Sequence, residues 1–413
     1  MPSTTPQNHQ GALPLHLTLA MLPWLASLTA LPLSRSGWKN SSIPSRTMHP
    51  PAAAKLRHAW EELLADPLLA GAVEKEARKR AVEFLEGLNQ YQQSAFTRDV
   101  VEPPAALTLG SVRLLHYAGV ARGPAIFLIP SLINRYYILD LTQRLSFARY
   151  LSARGFDVFV VDWGEPSAAE SHFNCGLYVT EILVPMAEWI RARSPKPLIA
   201  TGYCMGGLLA LGLAQIRPDL SDASAFLATP WNFFAPEFPR FALKGDDLVA
   251  VEDYIGGCDT LSSETIHTLF HCANPYAFHT KLRQFARMDK KHPSTQEFLA
   301  IEHWVNDGVP MTRGVAHDCL IAWLQRNTPA LRNWRVGGQV VAPEKIRMPC
   351  FVAVPQGDRI VPSTCALPLA KLLKHSTLIE PKSGHVGMMV GSFRKAGLWE
   401  PFAEWVESIC NYQ

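Results

Sequence analysis

Between Pro103 and Ala228 the apolar positions fall into two alternating textures. Short, nearly unbroken apolar runs predict strands over Val112–Tyr117, Ala125–Ile129, Val158–Asp162, Leu198–Thr201 and Ser224–Ala228. Stretches with apolar residues every three or four positions predict helices over Thr142–Arg154, Glu181–Arg193 and Met205–Arg217, the second with Pro185 inside it. Ala125–Ile129 contains no polar position, which predicts a strand covered on both faces. Strands and helices taking turns in this way predict an α/β fold with a mostly parallel sheet flanked by helices.

The alternation stops at Trp231 and resumes with a strand at Cys350–Val354, a helix over Ala366–Leu373, a strand at Thr377–Ile379 and a terminal helix over Pro401–Ile409. The intervening text is aromatic-rich, helical in part and without a clean strand run. One sheet domain over 105–230 and 348–413, interrupted by an inserted cap or lid over 231–347, explains the pattern. Ahead of it, Leu56, Trp60, Leu63 and Leu64, then Val82, Phe84, Leu85 and Leu88, recur at helical spacing, predicting a small helical region over 52–100. A Ser- and Pro-rich linker, Ser36–Pro51, separates it from an apolar segment over 1–35. Pro14, Pro23 and Pro32 interrupt that segment and disfavour a spanning helix, so it is expected to pack on the body or lie on an apolar surface.

Composition adds limits. The chain has 413 residues, 48% of them apolar, enough to bury a sizeable core. With 39 Lys and Arg against 36 Asp and Glu the net charge is only +3, which argues against a nucleic-acid binder. Eight cysteines are scattered without a single C-x-x-C pair, excluding a zinc ribbon or a thioredoxin-like motif and suiting reduced, intracellular thiols.

The chemistry concentrates at Gly202-Tyr203-Cys204-Met205-Gly206-Gly207, set between a buried strand and a Leu/Ala-rich helix. That is the context of a nucleophile elbow, with cysteine where G-x-S-x-G has serine. In this architecture an acid and then a histidine follow, each in a loop after a strand. Asp358 in Gly357-Asp358-Arg359-Ile360-Val361-Pro362 and His385 in Ser383-Gly384-His385 occupy those places. The expected site is thus Cys204 as nucleophile, His385 as base and Asp358 as its orienting partner. The backbone N–H of Met205 is one expected oxyanion donor. The second should come from Pro130-Ser131-Leu132-Ile133-Asn134; Pro130 has no N–H, and Ile133 is the choice. The other seven cysteines read as small core hydrophobes and Asp162 as a structural turn residue, while Trp304, Asn306 and Asp307 could line the lid.

At this point the chain resembles the polyhydroxyalkanoate (PHA) synthase family over roughly Leu107–Val390. The likeness is carried by Pro130-Ser131-Leu132-Ile133-Asn134-Arg135-Tyr136-Tyr137-Ile138-Leu139-Asp140-Leu141, by Val161-Asp162-Trp163-Gly164, by the cysteine elbow, by Asp358-Arg359-Ile360-Val361-Pro362 and by Ser383-Gly384-His385. It implies an α/β-hydrolase core with a mobile cap and acyl transfer from 3-hydroxyacyl-CoA onto a growing polyester. Cys204 would accept the acyl group, His385 would be the base, and Asp358 its partner or the activator of the incoming hydroxyl. The resemblance further implies no cofactor beyond the coenzyme A thioester used as substrate, and a partner subunit or homodimer. The expected location is cytoplasmic, at PHA granules or the inner membrane face, with residues 1–34 as the attachment. Arg359 departs from the family's usual histidine after the acid, and Val386-Gly387-Met388-Met389 departs from its usual pattern after the base. Two other functions fit the same residues: an ester or thioester hydrolase, including a PHA depolymerase-like one, and a granule-associated protein with a vestigial site.

Overall fold

Eight strands form one sheet: β1 (Ala105–Leu109), β2 (Val112–Tyr117), β3 (Ala125–Ile129), β4 (Asp157–Asp162), β5 (Leu198–Tyr203), β6 (Ala223–Leu227), β7 (Cys350–Ala353) and β8 (Ser376–Ile379). They stand in the order β1-β2-β4-β3-β5-β6-β7-β8. The computed structural model describes residues 65–411 except 95, 119–122, 239–242 and 274, together with 58, 62 and 63. The apolar segment at 1–35 and the Ser/Pro linker therefore lie outside the described residues. Among the described residues no helix is long and apolar enough to cross a membrane.

The central strands are the most apolar ones. Every residue of β3, β5 and β6 is buried, as parallel strands covered by helices on both faces must be. Pairing is antiparallel only from β1 to β2 and from β2 to β4; the remaining neighbours run parallel. β1, which periodicity does not reveal, is an edge strand joined to β2 by a hairpin at Gly110 (φ 58°). The helix following β5, Met205–Ile216, is buried at every position from Met205 to Ala214. Being apolar all round, it packs between the sheet and its surroundings instead of presenting a polar face to solvent. The terminal helix, Glu400–Asn411, buries Phe402, Ala403 and Val406, with Phe402 in an edge-to-face contact with Phe351 of β7.

Two helices differ from expectation, each for a local reason. The first starts at Phe147, because the Ser146 hydroxyl caps the Arg149 N–H and the Thr142 hydroxyl takes the Leu145 N–H in a turn. The helix expected to carry Pro185 inside it opens earlier, at Cys175, and widens to a π-helix over Tyr178–Leu183 before Val184–Arg191. Proline has no N–H to donate and would press on the preceding turn. The wider turns end where Pro185 falls in the first turn of the next helix, where its missing donor does least harm.

By internal contacts the chain forms two units, 1–96 with 268–299 and 97–267 with 300–413. In the first, the 25-residue helix Leu69–Gln93 packs on Pro275–Ala286. Gly87 lets the backbones meet: a Cβ there would lie 2.0 Å from the Leu282 carbonyl oxygen. Phe84, Leu88 and Leu282 form the apolar centre, and Glu83 is paired with Arg283 at 2.7 Å and with Arg287. The second unit contains the whole sheet. Of the 231–347 stretch it also holds two short ladders, Thr260–Leu261 on Met311–Thr312 and Arg335–Val336 on Gln339–Val340.

Candidate active site

Cys204 sits at the tip of β5 with φ 56° and ψ −126°, a conformation that a side-chain-bearing residue holds only under strain of about 1–3 kcal/mol. Two hydrogen bonds keep it there: its N–H donates to the Leu227 carbonyl at 2.8 Å, and its carbonyl accepts from the Gly207 N–H at 3.0 Å. The glycines are required by space. A Cβ on Gly202 would lie 2.3 Å from the Gly207 Cα, and one on Gly207 would lie 1.8 Å from the Thr229 Oγ1. At Gly206 the neighbours are the carbonyl oxygens of Ile129 and Pro130, 2.1 and 2.5 Å from a Cβ. This contact also shows that the loop after β3 lies directly against the elbow. Gly206→Ala should accordingly lose about 3 kcal/mol of stability, the upper end for overpacking against backbone that cannot move aside. A fall in the urea midpoint checks it; an unchanged midpoint would mean the loop and helix separate easily.

The acid and histidine arrive on adjacent loops. Hydrogen bonding between β7 and β8 continues past the sheet, with Gln356 N–H to the Pro381 carbonyl and Gly357 N–H to the Ser383 carbonyl, both 2.9 Å. Asp358 is held by its own turn: one carboxylate oxygen accepts from the Ile360 and Val361 amides, each at 2.8 Å. The other oxygen meets His385 Nδ1 at 2.6 Å. Both side chains are buried, with 0% and 7% of their surface exposed, so bulk water does not weaken the pair. His385 is not free in a loop, as expected, but is the first residue of a short helix, His385–Val390. Tyr203 adds an anchor: its hydroxyl donates to the His385 carbonyl at 3.3 Å and its ring lies 5.2 Å from the imidazole. Its place beside Cys204 gives no sign of that contact in sequence.

Electrostatics sets His385 apart from an ordinary imidazole, and burial sets the core thiols apart. Burial alone would push the His385 pKa down; the negative charges of Cys204 and Asp358, with the Asp358 hydrogen bond to Nδ1, raise it to about 10. Burial pushes the Cys350 and Cys365 thiols up to about 12 and raises Cys175, fully enclosed, well above the ordinary range. Those three are inert at neutral pH, whereas Cys204 is only half-buried. Asp162 serves structure: it pairs with Arg113 and accepts from the Gly164 N–H at 3.2 Å.

The two expected oxyanion donors are differently placed. Met205 is the first residue of its helix, where an amide has no carbonyl within its own helix to reach. The Ile133 N–H donates to the Ser131 Oγ at 3.2 Å, and its carbonyl accepts from the Val309 N–H at 3.1 Å. Trp304 and Asp307 fall beside this loop: Trp304 Nε1 donates to the Arg135 carbonyl at 2.8 Å and Asp307 binds Arg135 and Tyr137. Asn306 donates to the Glu302 carbonyl of its own helix at 2.8 Å. Among the described residues no group of His, Cys, Asp and Glu has the arrangement of a metal site.

Residues 124–392 match the family model of the alpha/beta hydrolase fold. The chain is 27% identical over 316 residues to the poly(3-hydroxyalkanoate) polymerase subunit PhaC of Haloferax mediterranei, covering 71% of this chain and 61% of that protein. It is 25% identical to the same subunit of Haloarcula marismortui, over 74% of this chain and 68% of that one. With the subunit of Synechocystis sp. it shares 23% over 79% of this chain and 88% of that protein. The chain thus spans about three fifths of the length of the first of these relatives and most of the last. It belongs to the α/β-hydrolase fold family, and the three relatives just named are poly(3-hydroxyalkanoate) polymerase subunits.

Proposed function

We propose that this chain is an acyltransferase of the polyhydroxyalkanoate polymerase kind, taking 3-hydroxyacyl units from coenzyme A thioesters through a thioester on Cys204. The observation that carries the reading is a cysteine at the elbow with a buried His385–Asp358 pair supplied to it. The Cys204 sulfur attacks the thioester carbonyl, and the Met205 N–H, with a second donor from the 131–134 loop, takes the negative charge on oxygen. The new C–S bond forms as the bond to coenzyme A breaks, so one thioester replaces another at nearly equal energy.

Proton movement follows from the charges around His385. The charge of Cys204 is one of those that hold its pKa up. Acylation removes that charge, so the imidazolium becomes more acidic and delivers its proton to the departing coenzyme A sulfur. The neutral imidazole left behind is the base for the next step. It takes the proton of a 3-hydroxyl, whose oxygen attacks the Cys204 thioester; an ester forms, the thiolate departs, and the pair is restored. That step runs downhill, because an oxygen ester is more stable than a thioester. Asp358 keeps Nδ1 protonated and Nε2 facing the sulfur in both halves.

Within this reading the 231–347 stretch is the cap over the site, coenzyme A is substrate and not cofactor, and a partner subunit or second copy belongs to the active assembly. Attachment at a granule or membrane face is assigned to residues 1–34. Incubation with 3-hydroxybutyryl-CoA and sizing of the product tests the function: coenzyme A released with polyester supports it. Coenzyme A released with free 3-hydroxybutyrate makes the chain a thioesterase, and no release at all makes the site vestigial.

A further inference from the structure

Residues 133–137 of the distinctive stretch after β3 meet one short segment, 304–309, more than 160 positions away in the chain. The Ile133 carbonyl accepts from the Val309 N–H at 3.1 Å, and Asn134 forms an isolated antiparallel bridge with Gly308. The Asn134 amide donates to the carbonyls of Trp304 and Val305 at 3.4 and 3.2 Å, while Trp304 Nε1 returns a bond to the Arg135 carbonyl at 2.8 Å. Asp307 closes the set. One of its oxygens accepts from Arg135 Nε at 3.1 Å and the other from the Tyr137 hydroxyl at 2.7 Å. Tyr137 is 7% exposed, its hydroxyl also meeting His303 Nδ1 at 3.4 Å, and Arg135 is further paired with Glu165.

The other end of the loop is fixed just as firmly. Trp163 Nε1 donates to the Pro130 carbonyl at 3.1 Å, and that carbonyl lies where a Cβ on Gly206 would strike it. Residues 131–134 are therefore strung between the elbow at one end and the 304–309 segment at the other. A donor in this loop is useful only where it stands at hydrogen-bond distance, about 2.7–3.1 Å, from the developing oxyanion.

We propose that Asp307 is a positioning residue for acyl transfer: by clamping Arg135 and Tyr137 it sets the height of the 131–134 amides over Cys204. The inference rests on the proposed acyl chemistry at Cys204, but not on the polymerase assignment. It makes the inserted stretch part of the catalytic geometry, since moving the 304–309 segment moves the oxyanion donors with it.

The test uses the full chain and p-nitrophenyl butyrate, whose burst of p-nitrophenolate reports acylation of Cys204 whatever the natural acceptor is. Asp307→Ala should lower the acylation rate constant by about 10- to 100-fold with little change in the ester concentration giving half-maximal rate. Asp307→Glu, which keeps the charge and can reach one partner, should recover part of the loss, and Tyr137→Phe, which removes the hydroxyl's bonds to Asp307 and His303 but leaves Arg135 on Asp307, should lose less than Asp307→Ala. Alkylation of Cys204 by iodoacetamide needs no oxyanion hole and should stay within about twofold in all three. Acylation by Asp307→Ala within threefold of the parent would overturn the proposal, as would alkylation falling in step with acylation. A parent chain that shows the burst yet releases no coenzyme A from 3-hydroxybutyryl-CoA leaves the proposal standing and removes the polymerase assignment. A parent with no burst removes both.

Discussion

Cys204→Ala should reduce coenzyme A release to background, while Cys175→Ala and Cys365→Ala keep most of the parent's activity. The contrast comes from the surroundings of each thiol. Cys204 is strained at the end of β5, half-buried, and its charge acts on His385. Cys175 is wholly enclosed, its amide bonded to Asp318, and Cys365 is packed at 0% exposure in the helix Ser363–Leu372. Replacing either by alanine removes one sulfur from a core, a loss of about 1 kcal/mol or slightly more, felt in stability and not in turnover. For Cys204 the loss is the bond-forming atom itself, and rate falls by several orders of magnitude. Cys204→Ser should also lose most activity, since the surrounding pair is arranged to hold a thiolate and serine's proton is far harder to remove. Coenzyme A release by Cys204→Ala at more than a few per cent of the parent would remove the cysteine from the mechanism.

Asp358→Asn should lower turnover by about 10³- to 10⁴-fold with the fold intact. The asparagine oxygen can still accept from the Ile360 and Val361 amides, so its amino group is left facing His385 Nδ1. A donor there forces Nδ1 to accept and moves the ring proton to Nε2, toward the sulfur, where it can no longer take a proton. The same change removes one of the two negative charges that hold the His385 pKa at about 10, so its pKa falls. The thiolate then loses its counter-ion at lower pH. Alkylation of Cys204 by iodoacetamide at pH 7 should slow by about tenfold or more. A parent-like alkylation profile in Asp358→Asn would show that the carboxylate does not govern the pair.

The parts of this architecture written in neighbouring residues are legible from sequence. β3 and β6 are buried on both faces because they are continuously apolar, and the elbow is legible because the glycines that make room for it flank the cysteine directly. The acid and the histidine are placed by their strands, since each follows one closely. Other features depend on partners far away in the chain. Ser146 looks like any helical position until its hydroxyl is seen capping, and Pro185 gives no hint of the π-helical turns before it. The bonds between the loop after β3 and the 304–309 segment join residues about 170 positions apart, and no periodicity reports such a pairing. The loop itself stands out by its composition, and Asp307 and Trp304 stand out as polar and aromatic residues together; that they meet is visible only in the fold.

Trapping the acyl group on the enzyme tests the central claim most directly. The full chain is mixed briefly with 3-hydroxybutyryl-CoA, quenched in acid, digested and mapped by mass spectrometry, with released coenzyme A counted in parallel. A 3-hydroxybutyryl group on the peptide containing Cys204, formed with up to one coenzyme A per chain and absent from Cys204→Ala, is the predicted result. Coenzyme A release with the acyl group on another residue, or undiminished in Cys204→Ala, would contradict it.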